Sequence, residues 1–424
     1  MPSLALLLLL AQAPPVVTFS GNQQIGGSAV LEYADRAGRF GAVFLATGLL
    51  AQPVPTPYGG VWLTGAIVPL WSGTMPADRI AIPLPIPAEP ALVAVAFHAQ
   101  GFSDAGGLSQ PARVVVVDRN TDPAKSLRVL VLNFDPVLES RGGRRLHEVA
   151  GWGDPRQLTN AYVDSLRRSS GGFVDQRVVE FQDLDVWPVK MDGFRYTDES
   201  YLLNLGRGSG WHQPDGVDYD AIIRDHGLVA RVNAGDVDEV IVWGGPYFGY
   251  YESRMAGPNA YWCNSPGMPW VPTTRKFVMM GLNYERGEAE ALHSHGHRTE
   301  SILVRVYGSW NGSGPPQHHW DRFTRYDRID PGNAACGNVH FPPNGTADYD
   351  YGNFTLVFST ADDWKASWPA LTGARGLVNA SAWGGTHLGY LRWWFDHLPR
   401  RVGVNPDGKQ NNWWKYVTLA LDPP

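Results

Sequence analysis

Two rhythms of apolar and polar residues divide the chain. From Pro14 to about Asp118, short alternating or wholly apolar runs recur at Ser28–Tyr33, Gly41–Ala46, Ile80–Ile86, Ala91–Gln100 and Ala112–Val117, separated by Gly/Pro clusters such as Pro53–Gly60. Period-two alternation broken by frequent turn residues predicts a small all-β sandwich. Arg119–Ser126 (RNTDPAKS) is polar and reads as a linker. Beyond it, apolar strand-like runs at Leu127–Asn133, Arg177–Phe181, Glu239–Trp243 and Lys276–Leu282 alternate with helical patterns. Arg156–Ser169 carries Leu158, Tyr162 and Leu166 on one face. Asp154-Pro155 suits its N-cap and first turn, and Gly171-Gly172 its stop. Tyr219–Val232 reads as a second helix. This alternation predicts an α/β domain, a largely parallel sheet flanked by helices. The expected organisation is a leader at 1–13, a β-sandwich accessory domain at 14–120, and an α/β domain at 126–424 ending in a loop-rich aromatic part.

Met1–Ala13 (MPSLALLLLLAQA) has the short apolar core and small-x-small end of a secretory signal. It is too short to span a bilayer. The expected location is therefore secreted, periplasmic or extracellular, with no membrane span. Net charge is −6 with 18% charged residues, which gives no basic footprint for nucleic acid. Only Cys263 and Cys336 occur, and they can form one disulfide or stay as two buried thiols. Asn311, Asn344, Asn353 and Asn379 lie in N-x-Ser/Thr sequons, which mark exposed loops.

The chemistry concentrates at Asn283–Tyr307 (NYERGEAEALHSHGHRTESILVRVY). Read as a strand end entering a long helix, it sets Glu290, His293, His297 and Glu300 on one face, at spacings of three, four and three. Two histidines four apart can share one metal, as in HExxH zinc enzymes. Ser294 stands where that motif has its general-base Glu, so a peptidase assignment does not follow. His293, His297 and Glu300 are the candidate metal ligands; His340, His387 or His397 can complete the set. Alternatives are a metal-free catalytic face and a polar helix face bonded within the protein.

Carboxylates at the ends of apolar strands are the second group: Asp135, Asp183, Asp185, Glu252 and Glu285. A close pair can divide acid and base work. Glu252 and Glu285 are the candidate catalytic residues, because Tyr247, Tyr250, Tyr251 and Tyr284 accompany them. Tyr247, Tyr251, Trp243 and Arg286 are the candidate substrate-binding residues. Asp348, Asp350 and Asn353 suggest a calcium loop or an Asx turn network. No GxSxG elbow or P-loop occurs.

Two resemblances add to this. The Ile82–Pro87 stretch IPLPIP, followed by Leu92–Gln100 (LVAVAFHAQ), resembles a β-module of secreted planctomycete-type proteins, which implies an extracellular accessory domain. The phrases LNFDP at Leu132, DGFRYT at Asp192, GPYFGYYESRM at Gly245, NYERG at Asn283 and GHRTES at Gly296 resemble an uncharacterised family of exported bacterial proteins. That resemblance groups Glu252, Glu285, Arg286, His297, Arg298 and Glu300 in one recurring unit and implies no reaction.

Together these patterns lead to the expectation of a secreted hydrolase acting on an extracellular polymer, a glycan or a peptide; the expected partner is that polymer or a small-molecule ligand. Either a divalent, zinc-like metal assists the hydrolase, or paired carboxylates do the work without a metal. The competing expectation is a non-catalytic exported protein that binds a glycan or a cell surface.

Overall fold

The computed structural model describes residues 13–312 and 314–422. The expected leader lies almost wholly outside them. The chain divides into two compact units, one ending at Ala124 and the other beginning at Lys125.

In the first unit, alternating strands form two antiparallel sheets. Val16–Gly21, Ser28–Ala34 and Arg79–Pro85 make one. A long hairpin, Phe40–Thr56 with Gly59–Thr74, joins Ala96–Ser103 and two short strands in the other. Every second side chain turns inward, so Val17, Leu31, Tyr33, Val43 and Ala99 share one apolar core.

The second unit is built on a five-stranded mixed sheet. Its order is Val174–Leu184, Lys125–Phe134, Glu239–Gly244, Phe277–Asn283 and Ser253–Ala256. The first three pairings are parallel, and the Ser253–Ala256 edge is antiparallel. Glu239–Gly244 is buried along its whole length, which explains its apolar run EVIVWG. The chain leaves Lys125–Phe134 toward one neighbour and returns to the other. By the right-handed crossover rule, such a reversal sets the intervening helices on opposite faces.

The expectation of a largely parallel α/β fold is overturned. Among the described residues, five of six sheets are antiparallel throughout, and the sixth is mixed. The molecule is largely β, because the first unit and several short hairpins of the second add antiparallel strands that helix–strand alternation does not reveal. The Tyr219–Val232 helix is also two helices, Tyr219–Asp225 and Leu228–Ala234. Gly227, at φ +60, breaks it where a side chain would be strained. Asp154 does cap a helix, Pro155–Ser169, by accepting the Arg156 N–H at 2.8 Å.

The histidine-bearing segment is a 20-residue helix, Glu288–Tyr307. Glu290 accepts the Gly287 N–H at its start, and Gly308, at φ +83, ends it. It packs on the sheet and against the helices Pro155–Ser169 and His387–His397. Beneath it, Arg298 forms a buried ion pair with Glu239 at 2.7 Å. Gln176 holds the other Glu239 oxygen at 2.8 Å.

Candidate functional site

Three imidazoles converge on one point. Helical spacing brings His293 and His297 together, and the loop after Gly337 lays His340 over them. The Nε2 of His297 is 3.0 Å from His293 Nε2 and 3.1 Å from His340 Nε2. His293, His297 and His340 together form a group that could hold a metal ion.

A missing side chain makes this approach possible. A Cβ on Gly296 would stand 2.5 Å from a Val339 methyl. The glycine that weakens the helical pattern is therefore where the His340 loop docks. Tyr390 anchors the same loop by donating to the Asn338 carbonyl at 2.7 Å, and Tyr351 by donating to the Val339 carbonyl at 2.7 Å.

Behind each imidazole stands a partner for its Nδ1. Glu300 is 2.9 Å from His297 Nδ1, and its second oxygen accepts the Val339 N–H at 2.9 Å. Asp348 is 3.4 Å from His340 Nδ1. His387 is 3.3 Å from His293 Nδ1 and is backed in turn by Glu290 at 3.6 Å. Such partners fix the ring orientation of a ligating histidine. Tyr351 stacks flat on His387 at 4.7 Å. The Tyr349 hydroxyl lies 3.4 Å from His340 Nε2, on a backbone at φ +62, a strained region for a bulky residue.

Electrostatics separates the rings. Burial, then the neighbouring His297, His340 and His387, push the His293 pKa down to about 2, so its nitrogens are free of charge at neutral pH. For His297 burial acts the same way, but the Glu300 hydrogen bond and charge, with Glu252 behind them, win and raise its pKa.

A cavity of about 740 Å³ opens beside His297, Glu300 and His340, walled by Tyr261, Trp262, Trp310, Tyr326 and Phe341. A smaller one of about 200 Å³ is lined by Glu252, Arg286, Glu290, Ser294 and Tyr247. Asn264 connects the two: it lines the larger cavity, and its amide donates to Glu252 at 2.5 Å.

The sequence-derived candidates separate accordingly. Glu300 sits behind His297 as a hydrogen-bond acceptor, and His340 supplies the third convergent nitrogen. The field of Glu252 reaches His297 and Tyr349. Glu285 is exposed, its own N–H turned to Asn283 at 2.9 Å. Arg286 is exposed at the smaller cavity. Tyr247 stacks on Trp211 at 4.1 Å, and Tyr251 lies nearly parallel to Tyr219 at 6.2 Å. Trp243 is fully buried, donating to Thr159 at 2.8 Å. The other strand-end acids are engaged: Asp135 with His147 at 2.5 Å, Asp183 with Asn133 and Arg156, Asp185 with the Val137 N–H. Asp350 ties Thr346 and Asn353 into a turn network. Cys263 and Cys336 are free buried thiols. Asn344, in a sequon, is buried and bonded to the Asn353 and Thr355 carbonyls. Tyr349, Trp262 and Trp310 carry no pattern in sequence, since single aromatic loop residues look alike whether they line a cavity or a core.

No family model matches the chain, and no curated protein matches it. Among solved structures, a carbohydrate acetylesterase from Xanthomonas citri aligns over 71% of this chain and 78% of its own, at 12% identity and TM-score 0.19. The sensor domain of the anti-sigma factor RsgI4 from Pseudobacteroides cellulosolvens aligns over 25% of this chain and 97% of its own, at 7% identity and TM-score 0.17. The bacterial hydrophobin BslA aligns over 26% and 98%, at 15% identity and TM-score 0.17. Similarities this faint carry no argument about fold or activity. Among the described residues, no helix is long and apolar enough to cross a membrane.

Proposed function

We propose that this protein is an exported hydrolase whose His293, His297 and His340 hold one divalent, zinc-like metal. The observation that carries the reading is the convergence of three Nε2 atoms, each on a ring whose Nδ1 has a partner. One imidazole nitrogen offers one proton or one lone pair, so His297 Nε2 cannot satisfy both neighbours by hydrogen bonding. A cation shared by three lone pairs removes the conflict. Nitrogens on a tetrahedral zinc stand roughly 3.3 Å apart, from bonds of about 2.0–2.1 Å, close to the spacing here. Three protein ligands leave an open position, the pattern of catalytic rather than structural sites.

A metal so held would lower the pKa of a bound water and supply a nucleophile at neutral pH. The chain's own residues do the rest. Glu252, held by the Asn264 amide and near enough for its charge to act on His297, is the carboxylate we assign to take the proton of the attacking water and return it to the leaving group. Tyr349, its hydroxyl 3.4 Å from His340 Nε2, would donate a hydrogen bond to oxygen where negative charge develops. Hydrolysis adds OH to the carbon side of the cleaved bond and H to the leaving group.

The test is hydrolysis of acylated, glycosidic and peptide polymers by purified protein. Cleavage should stop with a chelator and return with zinc. Cleavage indifferent to chelation would overturn the metal role. A second reading, a non-catalytic binder, is favoured by Trp262, which is 62% exposed beside the cavity. Retention of a polymer without cleavage at any metal loading would select it.

A further inference from the structure

The larger cavity has the size of an ordinary ligand site, but its wall is unusual. Trp262 is 62% exposed and Trp310 37%. Among the described residues no ring stacks on Trp262. Exposed indole faces leave apolar area in water that a flat ligand face would cover. Polar groups are set between the rings. Asn338 spends its Oδ1 on the N–H groups of His340 and Phe341, both at 3.0 Å. Its amide nitrogen has no partner among the described residues. Arg305 adds a further donor.

Two ligand classes place apolar surface beside hydrogen-bonding groups: peptides and sugars. Extended peptides gain affinity by main-chain pairing with an exposed strand edge. No strand lines this cavity; its residues come from the helix Glu288–Tyr307 and from loops. A pyranose ring instead presents a C–H face to an aromatic plane and a rim of hydroxyls to side-chain donors and acceptors. The cavity offers both.

We infer that this cavity binds pyranose rings of a glycan chain, with Trp262 as the stacking platform and Asn338 among its hydroxyl partners. The inference deepens the hydrolytic reading, on which it rests, by naming the substrate class.

The experiment is affinity electrophoresis of the full chain through gels containing hydroxyethyl cellulose, xylan, glucomannan, laminarin or pectin, with gelatin as the peptide probe. Metal content is measured on the same samples. At least one polysaccharide should retard the protein, and gelatin should not. Trp262→Ala should weaken retention about tenfold or more, as loss of a tryptophan anchor does, and Trp262→Phe should restore part of it. Trp262 is exposed, so its loss should leave the thermal midpoint unchanged. Retention by gelatin alone, by no polymer, or by a polysaccharide equally in all variants would overturn the inference. Trp262-dependent retention by metal-free protein would uphold the glycan site and sink the metal-dependent form of the hydrolytic reading. Stoichiometric metal with no polysaccharide retention would overturn the glycan site and leave the metal site standing.

Discussion

Gly296 and Val339 meet so closely that a methyl group on the glycine would stand 2.5 Å from a valine methyl carbon. Val339 immediately precedes His340, so the packing of one helix glycine decides whether the third imidazole reaches the other two. Gly296→Ala should therefore injure the site although alanine favours helices. The overpacking should cost about 1–3 kcal/mol in urea denaturation. Zinc affinity, from chelator competition, should fall in the same variant. A more stable protein with unchanged affinity would refute the docking role.

In the proposed metal site Glu300 would act through His297, whose Nδ1 it faces at 2.9 Å. Glu300→Gln keeps a hydrogen-bond acceptor but removes the charge, and Glu300→Ala also frees the Val339 N–H. Zinc affinity should drop about 10–100-fold when such a partner is lost, more for Ala than for Gln. Asp348, at 3.4 Å from His340 and 60% exposed, should matter less. Chelator competition on Glu300→Gln, Glu300→Ala and Asp348→Ala would show the order; equal affinities would remove the supporting role.

The sequence made part of this site legible. His293, His297 and Glu300 share a face because helical periodicity is local, and period and spacing can be read directly. The sequence left His340 as one of three histidines, with His387 and His397, able to complete the set; which one does so depends on a loop docking at Gly296, a contact between segments about forty residues apart in the chain. The same locality explains the fold. Runs such as Glu239–Trp243 announced buried strands, whereas the antiparallel edge Ser253–Ala256 lies in an aromatic stretch with no alternation. Register and direction are set by tertiary pairing, and strand–helix alternation over-predicted parallel structure.

Arg298 and Glu239 form a pair deep under the helix, both almost wholly buried. Removing one partner strands a charge in a dry core. Arg298→Met should destabilise the protein by about 3–5 kcal/mol. Pairing it with Glu239→Gln should recover a large share, because Gln176 can still bond the amide. Denaturation of the single and double variants measures the coupling; additive losses would show that the charges do not interact.

Asp238 sets an acid limit on stability. Its carboxylate accepts Arg128 Nε at 2.9 Å and the Arg128 N–H at 2.7 Å, and lies 2.9 Å from Arg275. Burial alone would raise its pKa, but the Arg128 bonds and the Arg275 charge outweigh burial and lower it. A depressed folded pKa gives stability that is present above the unfolded value, about 3.9, and lost as pH falls through the folded one. Asp238→Asn should cost about 2 kcal/mol at pH 7. The gap to the native protein should close in acid below that window. A gap independent of pH would show that the charge contributes nothing.

The most direct measurement is elemental analysis of protein purified without added chelator, alongside His297→Ala and His340→Ala checked for native folding by circular dichroism. The native chain should carry close to one equivalent of a divalent metal, zinc foremost, and either folded variant little. A native protein that carries no metal and takes up none from a zinc solution, or folded variants that keep a full equivalent, would contradict the proposed site.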